Sequence, residues 1–162
     1  MSSPITFDLK NQTALITGAS SGFGARFAQV LSDAGAKVVI TGRRVERLRE
    51  LKRSIEAKGG SAIAITHDVT DVTRCRGLME EVEQQAGPVN ILINNAGMNV
   101  EAPASTLGEA DYDRIMDTNV KGAFFMAQAA GSRMVAQRLQ GRMVNIASIG
   151  SFKALPGLVA DS

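Results

Sequence analysis

The chain has 162 residues, enough for one domain with a substantial core, and its 44% hydrophobic and 21% charged content is that of a soluble globular protein, not a disordered one. A net charge of +2, with the arginines scattered along the chain, excludes an electrostatic footprint for nucleic acid or a membrane surface. The one cysteine cannot close an internal disulfide, no run approaches the roughly 18 apolar residues of a membrane span, and Met1–Gln12 lacks a signal peptide's apolar core, so a reducing, cytoplasmic setting is expected.

Short apolar runs alternate with amphipathic segments. Thr13–Thr17 (TALIT) reads as a buried strand. The helix after it places Phe23, Phe27, Val30, Leu31 and Ala34 on one face and stops at Gly35. Lys37–Thr41 (KVVIT) is a second strand, and the helix from Val45 to Gly60 gathers Val45, Leu48, Leu51 and Ile55. Ser61–Thr66 (SAIAIT) is a third strand. The next helix, over Asp71–Gly87, buries Val72, Cys75, Met79 and Val82, with Asp71 as N-cap and Cys75 as apolar filler, not a nucleophile. Val89–Gly97 (VNILINNAG) is a fourth strand running into a loop. Glu109–Leu139 is a long helical stretch, divided around DTNVKG, and Gly141–Ser148 (GRMVNIAS) is a fifth strand.

Strand and helix alternate, and the strands are continuous apolar runs, the pattern of a parallel sheet covered on both faces. Right-handed crossovers then give an α/β fold, a doubly wound, Rossmann-like parallel sheet of order 3-2-1-4-5 in one dinucleotide-binding domain over residues 1–162.

Between the first strand and first helix stands TGASSGFG, Thr17 to Gly24. Gly18 permits a tight turn out of the strand, Gly22 lets backbone approach a bulky anion, and Gly24 lets the helix pack closely on the sheet. Ser20, Ser21 and Phe23 complete the turn, and the helix N-terminus offers free N–H groups and partial positive charge to a pyrophosphate. Its position after a strand and before a helix is the context this motif requires. No Gly-Lys-Ser/Thr follows, so it is not a P-loop.

TGASSGFG, then NNAG (residues 94–97), then Asn119 in DTNVKG, then Ser148 in NIASIG follow in order, and together they resemble the short-chain dehydrogenase/reductase family from about Phe7 to the last residue. Phe23 departs from the pattern, standing where the family usually has a smaller aliphatic residue. NAD-binding members are expected to end the second strand with an acidic residue on the ribose 2′-hydroxyl. Here that slot holds Gly42, followed by Arg43 and Arg44. A missing carboxylate removes repulsion of a 2′-phosphate and an arginine offers it a charged fork, so NADP(H) is expected over NAD(H). The resemblance also implies that Asp68 and Val69 flank the adenine and that Asn95, Ala96 and Gly97 line the path to the nicotinamide ribose. His67 is expected as a strand-end residue, and Met98, Asn99 and Val100 as neighbours of the substrate.

The chemistry implied by the resemblance is hydride exchange between nicotinamide and a small alcohol or carbonyl substrate. A tyrosine handles the proton, a lysine four residues on lowers its pKa, a serine binds the substrate oxygen, and an asparagine holds a relay water. Ser148 and Asn119 fit the last two roles. The tyrosine is expected thirteen residues after the serine, where this sequence has Asp161, and the 162 residues hold no lysine four beyond it. Tyr112 lies in the wrong segment. An aspartate is ionised at pH 7 and cannot protonate an alkoxide, so the chain is expected to be inactive, with a non-catalytic NADP(H)-binding module as the alternative and a non-native fragment as a third reading. The family's last strands are expected to be lacking, which leaves the fifth strand an apolar edge. The helix with Phe124, Phe125, Met126 and Met134 then lacks a neighbour and its usual homo-oligomer partner, so the chain is expected to associate.

Overall fold

The computed structural model describes residues 7–148 and 150. Five strands, β1 (Thr13–Ile16), β2 (Lys37–Gly42), β3 (Ser61–Thr66), β4 (Val89–Asn94) and β5 (Arg142–Asn145), form one sheet of order β3-β2-β1-β4-β5. All four pairings are parallel, and Leu15 of β1 stands between Val39 of β2 and Leu92 of β4. The expected Rossmann-like order is the observed one.

Alternation along each strand sorts the core into two layers. Ala14, Ile16, Val38, Ile40 and Ala62 pack with Ala28 of α1 (Gly22–Asp33) and with Leu48, Leu51 and Ile55 of α2 (Val45–Glu56). Leu15, Val39, Ile65 and Leu92 pack on the other face. There they meet Cys75, Leu78, Met79 and Val82 of α3 (Cys75–Ala86) and Met126, Ala130 and Met134 of α5 (Ala123–Ala136). Each fully buried Ile or Leu contributes about 1.5–3 kcal/mol by leaving water. The alternation slips once: Thr13 pairs with Val89 but Ala14 with Ile91, because the Asn90 side chain accepts the Thr13 N–H at 3.0 Å in place of a strand partner.

Three helical expectations need correction. In α1 the buried residues are Gly24 and Ala28, whereas Phe23 and Val30 are exposed, because small residues are what let the helix lie close to the sheet. Val45 is exposed at the start of α2, outside the face formed by Leu48, Leu51 and Ile55. Val72 lies in a separate 3-10 turn (Val72–Arg74) that Asp71 precedes without a side-chain cap bond, its carboxylate accepting the Thr73 hydroxyl instead, so α3 begins at Cys75, and Leu78 joins its buried face.

The long helical stretch divides where expected. α4 (Glu109–Met116) passes into a π-helical turn over Asp117–Gly122, and α5 follows. At Gly122 this turn passes so close to β3's exit that an added Cβ would lie 2.8 Å from the Val69 carbonyl oxygen. Among the described residues no helix is long and apolar enough to cross a membrane.

Candidate functional site

The site forms where the carboxyl ends of β1, β2, β3 and β4 reach the glycine-rich turn, the side on which open α/β sheets bind ligands. Gly18 turns the chain out of β1 with φ +65°, and a Cβ there would sit 2.7 Å from Ala96 Cα, so both the conformation and the space demand glycine. Gly22 also has positive φ, but nothing lies within 4 Å of its missing Cβ. That opening is the room a bound group needs beside the helix end. Ser21 precedes α1 without a side-chain cap bond, and the first turn holds no acidic residue, which leaves its N–H groups and positive dipole end for an anion.

Thr17 and Asn95 lock this turn to the loop after β4. Thr17 Oγ1 accepts the Asn95 and Ala96 N–H groups, each at 3.0 Å. Asn95 Nδ2 donates back to the carbonyls of Thr17 (3.0 Å) and Gly18 (3.3 Å). The Ala19 N–H reaches the Thr41 carbonyl at 2.9 Å, tying the same turn to β2.

The end of β2 supplies the charge. The Arg44 guanidinium crosses to the turn, where Nε and Nη2 donate to Ser20 Oγ at 3.1 and 3.0 Å and Nη2 also donates to Ser21 Oγ at 2.5 Å. Arg43 Nη1 lies 3.7 Å from Asp68 Oδ2, an exposed pair of little energetic weight. The other Asp68 oxygen accepts from the Thr70 N–H and hydroxyl. His67 is 3% exposed, and neither ring nitrogen has a hydrogen-bond partner among the described residues. Burial first, then Arg74, pushes its pKa down, against the opposing pull of Asp71, Asp68 and Glu81.

Two cavities meet at Asn95–Gly97. The first, of about 380 Å³, is lined by Gly18, Ser20, Ser21, Arg43, Arg44, Asp68 and Val69 together with Asn95, Ala96 and Gly97. The second, of about 690 Å³, shares those last three and adds Phe23, Met98, Asn119, Phe124 and Ser148. The described candidates for the cofactor and for catalysis, except Gly22 and Gly24 in the glycine-rich turn, line one cavity or the other; of the expected neighbours of the substrate only Met98 does. Asn99, Val100 and Tyr112 line neither. Asp161 lies outside the described residues.

Asn119 sits in the π-helical turn and closes a ring with the backbone of Met98: its Oδ1 accepts the Met98 N–H at 2.8 Å and its Nδ2 donates to the Met98 carbonyl at 2.9 Å. Such turns displace backbone carbonyls from the α-helical ladder and recur at functional sites. Ser148 Oγ accepts the Gly150 N–H at 3.1 Å. Asn94, buried at the end of β4, donates to the Ala123 carbonyl (2.9 Å) and to Asn145 Oδ1 (3.0 Å), joining β4, α5 and β5 under the second cavity.

Sequence reasoning missed the roles of Thr17, of the Asn94–Asn145 pair and of Thr118, which lines the first cavity with Gly42 and His67. For Thr17, Asn94 and Asn145 the available signal was a polar residue at the end of an apolar strand.

The two joined cavities, a glycine cradle that a Cβ would fill, and an uncapped helix end fit a dinucleotide: space for two nucleosides with anion-binding N–H groups between them. Comparison with known proteins agrees. The sequence profile described as short chain dehydrogenase matches residues 12–161. Gluconate 5-dehydrogenase of Gluconobacter oxydans (strain 621H) is 40% identical over 158 residues, 98% of this chain and 61% of that protein. A crystal structure of a short-chain type dehydrogenase/reductase from Mycobacterium marinum superimposes with TM-score 0.90 at 35% identity, over 94% of this chain and 62% of that one. A metagenomic short-chain oxidoreductase in complex with NADP gives 0.88 at 33% identity (94% and 69% covered), and NAD+-bound xylitol dehydrogenase gives 0.89 at 30% (94% and 58%). The chain thus spans between 54% and 62% of the length of curated relatives such as this dehydrogenase of Gluconobacter oxydans. With its sequence profile, sheet order and glycine turn in agreement, the chain belongs to the short-chain dehydrogenase/reductase family.

Proposed function

We propose that the chain binds a nicotinamide dinucleotide across the two cavities, NADP(H) in preference to NAD(H), and that its lineage is an oxidoreductase of small alcohols and carbonyls. The observation that carries the cofactor preference is Arg44. Its guanidinium lies over Ser20 and Ser21, next to Gly42, where a carboxylate would repel a 2′-phosphate. The α1 N-terminus takes the pyrophosphate, Asp68 and Val69 flank the adenine, and Asn95–Gly97 carry the chain of contacts toward the second cavity. When bound there, the cofactor supplies or accepts a hydride. Around it Ser148 is suited to hold a substrate oxygen, and the Asn119 turn offers a displaced carbonyl for a water.

Proton transfer is the step this polypeptide does not supply. Asp161 occupies the position thirteen residues after Ser148 where the family has its tyrosine, and at neutral pH a carboxylate of ordinary pKa, near 4, has no proton to give. The 162-residue chain therefore binds cofactor without turnover. NADPH and NADH fluorescence titrations run beside a carbonyl-reduction assay test this reading. The expected outcome is NADPH binding about tenfold tighter than NADH, as for loss of a charge-assisted contact, with Arg44→Ala removing the difference and no substrate consumed. Equal affinities overturn the cofactor preference, and turnover overturns the account of Asp161.

A further inference from the structure

Phe23 is the second residue of α1, and 73% of its surface is exposed. It is absent from the lining of the first cavity and lines the second, opposite no charged side chain among the described residues there. One side of the ring is occupied: Phe27 stacks against it with centroids 6.2 Å apart and planes at 27°, and Phe27 in turn packs on the core beneath α1 and α2. The ring is thus braced against the fold, yet still lines a cavity whose polar members among the described residues, four asparagines and Ser148, are neutral.

The geometry points to Phe23 as a residue that distinguishes the oxidised from the reduced cofactor. This inference rests on the reading of the two cavities as a dinucleotide site. The oxidised nicotinamide ring is a pyridinium cation, and the reduced ring is neutral. A phenyl face attracts a cation through its quadrupole and gains nothing comparable from a neutral ring. Among the described residues lining the cavity there is no carboxylate to mask the ring's effect, and the contribution of its quadrupole falls on the oxidised form alone. A smaller aliphatic residue at position 23 would provide contact area without that discrimination.

Isothermal titration calorimetry of the 162-residue chain with NADP+ and with NADPH tests it, using Phe23→Leu, which keeps an apolar side chain, and Phe23→Tyr, which keeps the aromatic face. Because the ring is mostly exposed, both variants should melt with the wild type. The expected result is that Phe23→Leu weakens NADP+ at least about threefold more than NADPH, while Phe23→Tyr holds the wild-type ratio. A ratio unchanged in Phe23→Leu, or a selective loss of NADPH, overturns the role of Phe23 and leaves the cofactor site standing. A wild-type chain that binds neither nucleotide overturns both.

Discussion

β1 and β5 are four-residue strands of the same parallel sheet, yet every residue of β1 is buried and every residue of β5 is exposed. The apolar runs that announce them look alike in sequence. Neighbours make the difference. β1 lies between β2 and β4, with α1 and α2 below and α3 and α5 above. β5 pairs with β4 alone among the described residues, leaving Met143 and Val144 open to solvent. A parallel strand needs cover on both faces and both edges. The β1–α1–β2 half supplies that cover from consecutive elements. The β4–α5–β5 half adds long-range polar ties to its apolar packing. The Asn94–Asn145 pair joins the two strands, and Arg133 with Gln137 of the α5 region holds Glu83 of α3. Arg133 keeps that carboxylate below the usual range.

The same substitution should have opposite signs in the two halves. Gly18→Ala forces an L-residue into φ +65° with its Cβ against two Ala96 backbone atoms, at 2.7 and 2.9 Å, which cannot move without breaking the Thr17–Asn95 ties. A loss of about 2 kcal/mol or more in urea unfolding is expected from the backbone strain and the clash together, and NADPH binding should vanish. Gly131→Ala, in the middle of α5, meets only the end of the flexible Met143 side chain at 3.6 Å. There the gain in helix propensity should stabilise the chain by about 0.5–1 kcal/mol. If both variants destabilise alike, the contrast drawn between the halves is wrong.

A smaller effect is expected at His67, a buried group that lines the first cavity. Its folded pKa is lowered, so the unfolded chain takes up a proton first as pH falls. Stability is therefore whole above the ordinary histidine value of about 6.5 and drains away as the pH drops through it. Melting curves at pH 7.5 and 5.5 should show a fall for the wild type and a smaller fall for His67→Leu, which has no proton to bind. Coincident slopes would mean that Asp71, Asp68 and Glu81 compensate the buried charge fully.

The sequence disclosed what periodicity and glycine spacing encode. Five apolar runs set the strand order, TGASSGFG set the glycine turn before α1, and the break at DTNVKG marked the π-helical turn that holds Asn119. The α1 face was read in part: Phe27 and Leu31 pack against the core, but Phe23 and Val30 do not. Close helix–sheet packing wanted Gly24 and Ala28, and Phe23 was left to the cavity. Thr17, Asn94 and Asn145 escaped notice for a different reason. Each acts through a hydrogen bond to a residue distant in sequence, such as Thr17 with Asn95 across 78 positions, and no local pattern encodes such a partner.

The smallest effect on stability is expected at the open edge itself. Val144 pairs with Ile93 in β5 but is 44% exposed, so Val144→Lys gives up little burial and should change unfolding free energy by no more than about 0.5 kcal/mol. Its effect on association should be far larger. Among the described residues no strand pairs with the outer edge of β5, so its backbone beside exposed Met143 and Val144 offers a template for another chain, and a lysine on such an edge must be desolvated before a second strand can dock. Sedimentation velocity across a concentration series should show the wild-type 162-residue chain associating and Val144→Lys remaining smaller at the same concentration. If the variant associates as readily as the wild type, the edge of β5 is not the adhesive surface. The exposed ring of Phe124 on α5 then becomes the place to put the next charge.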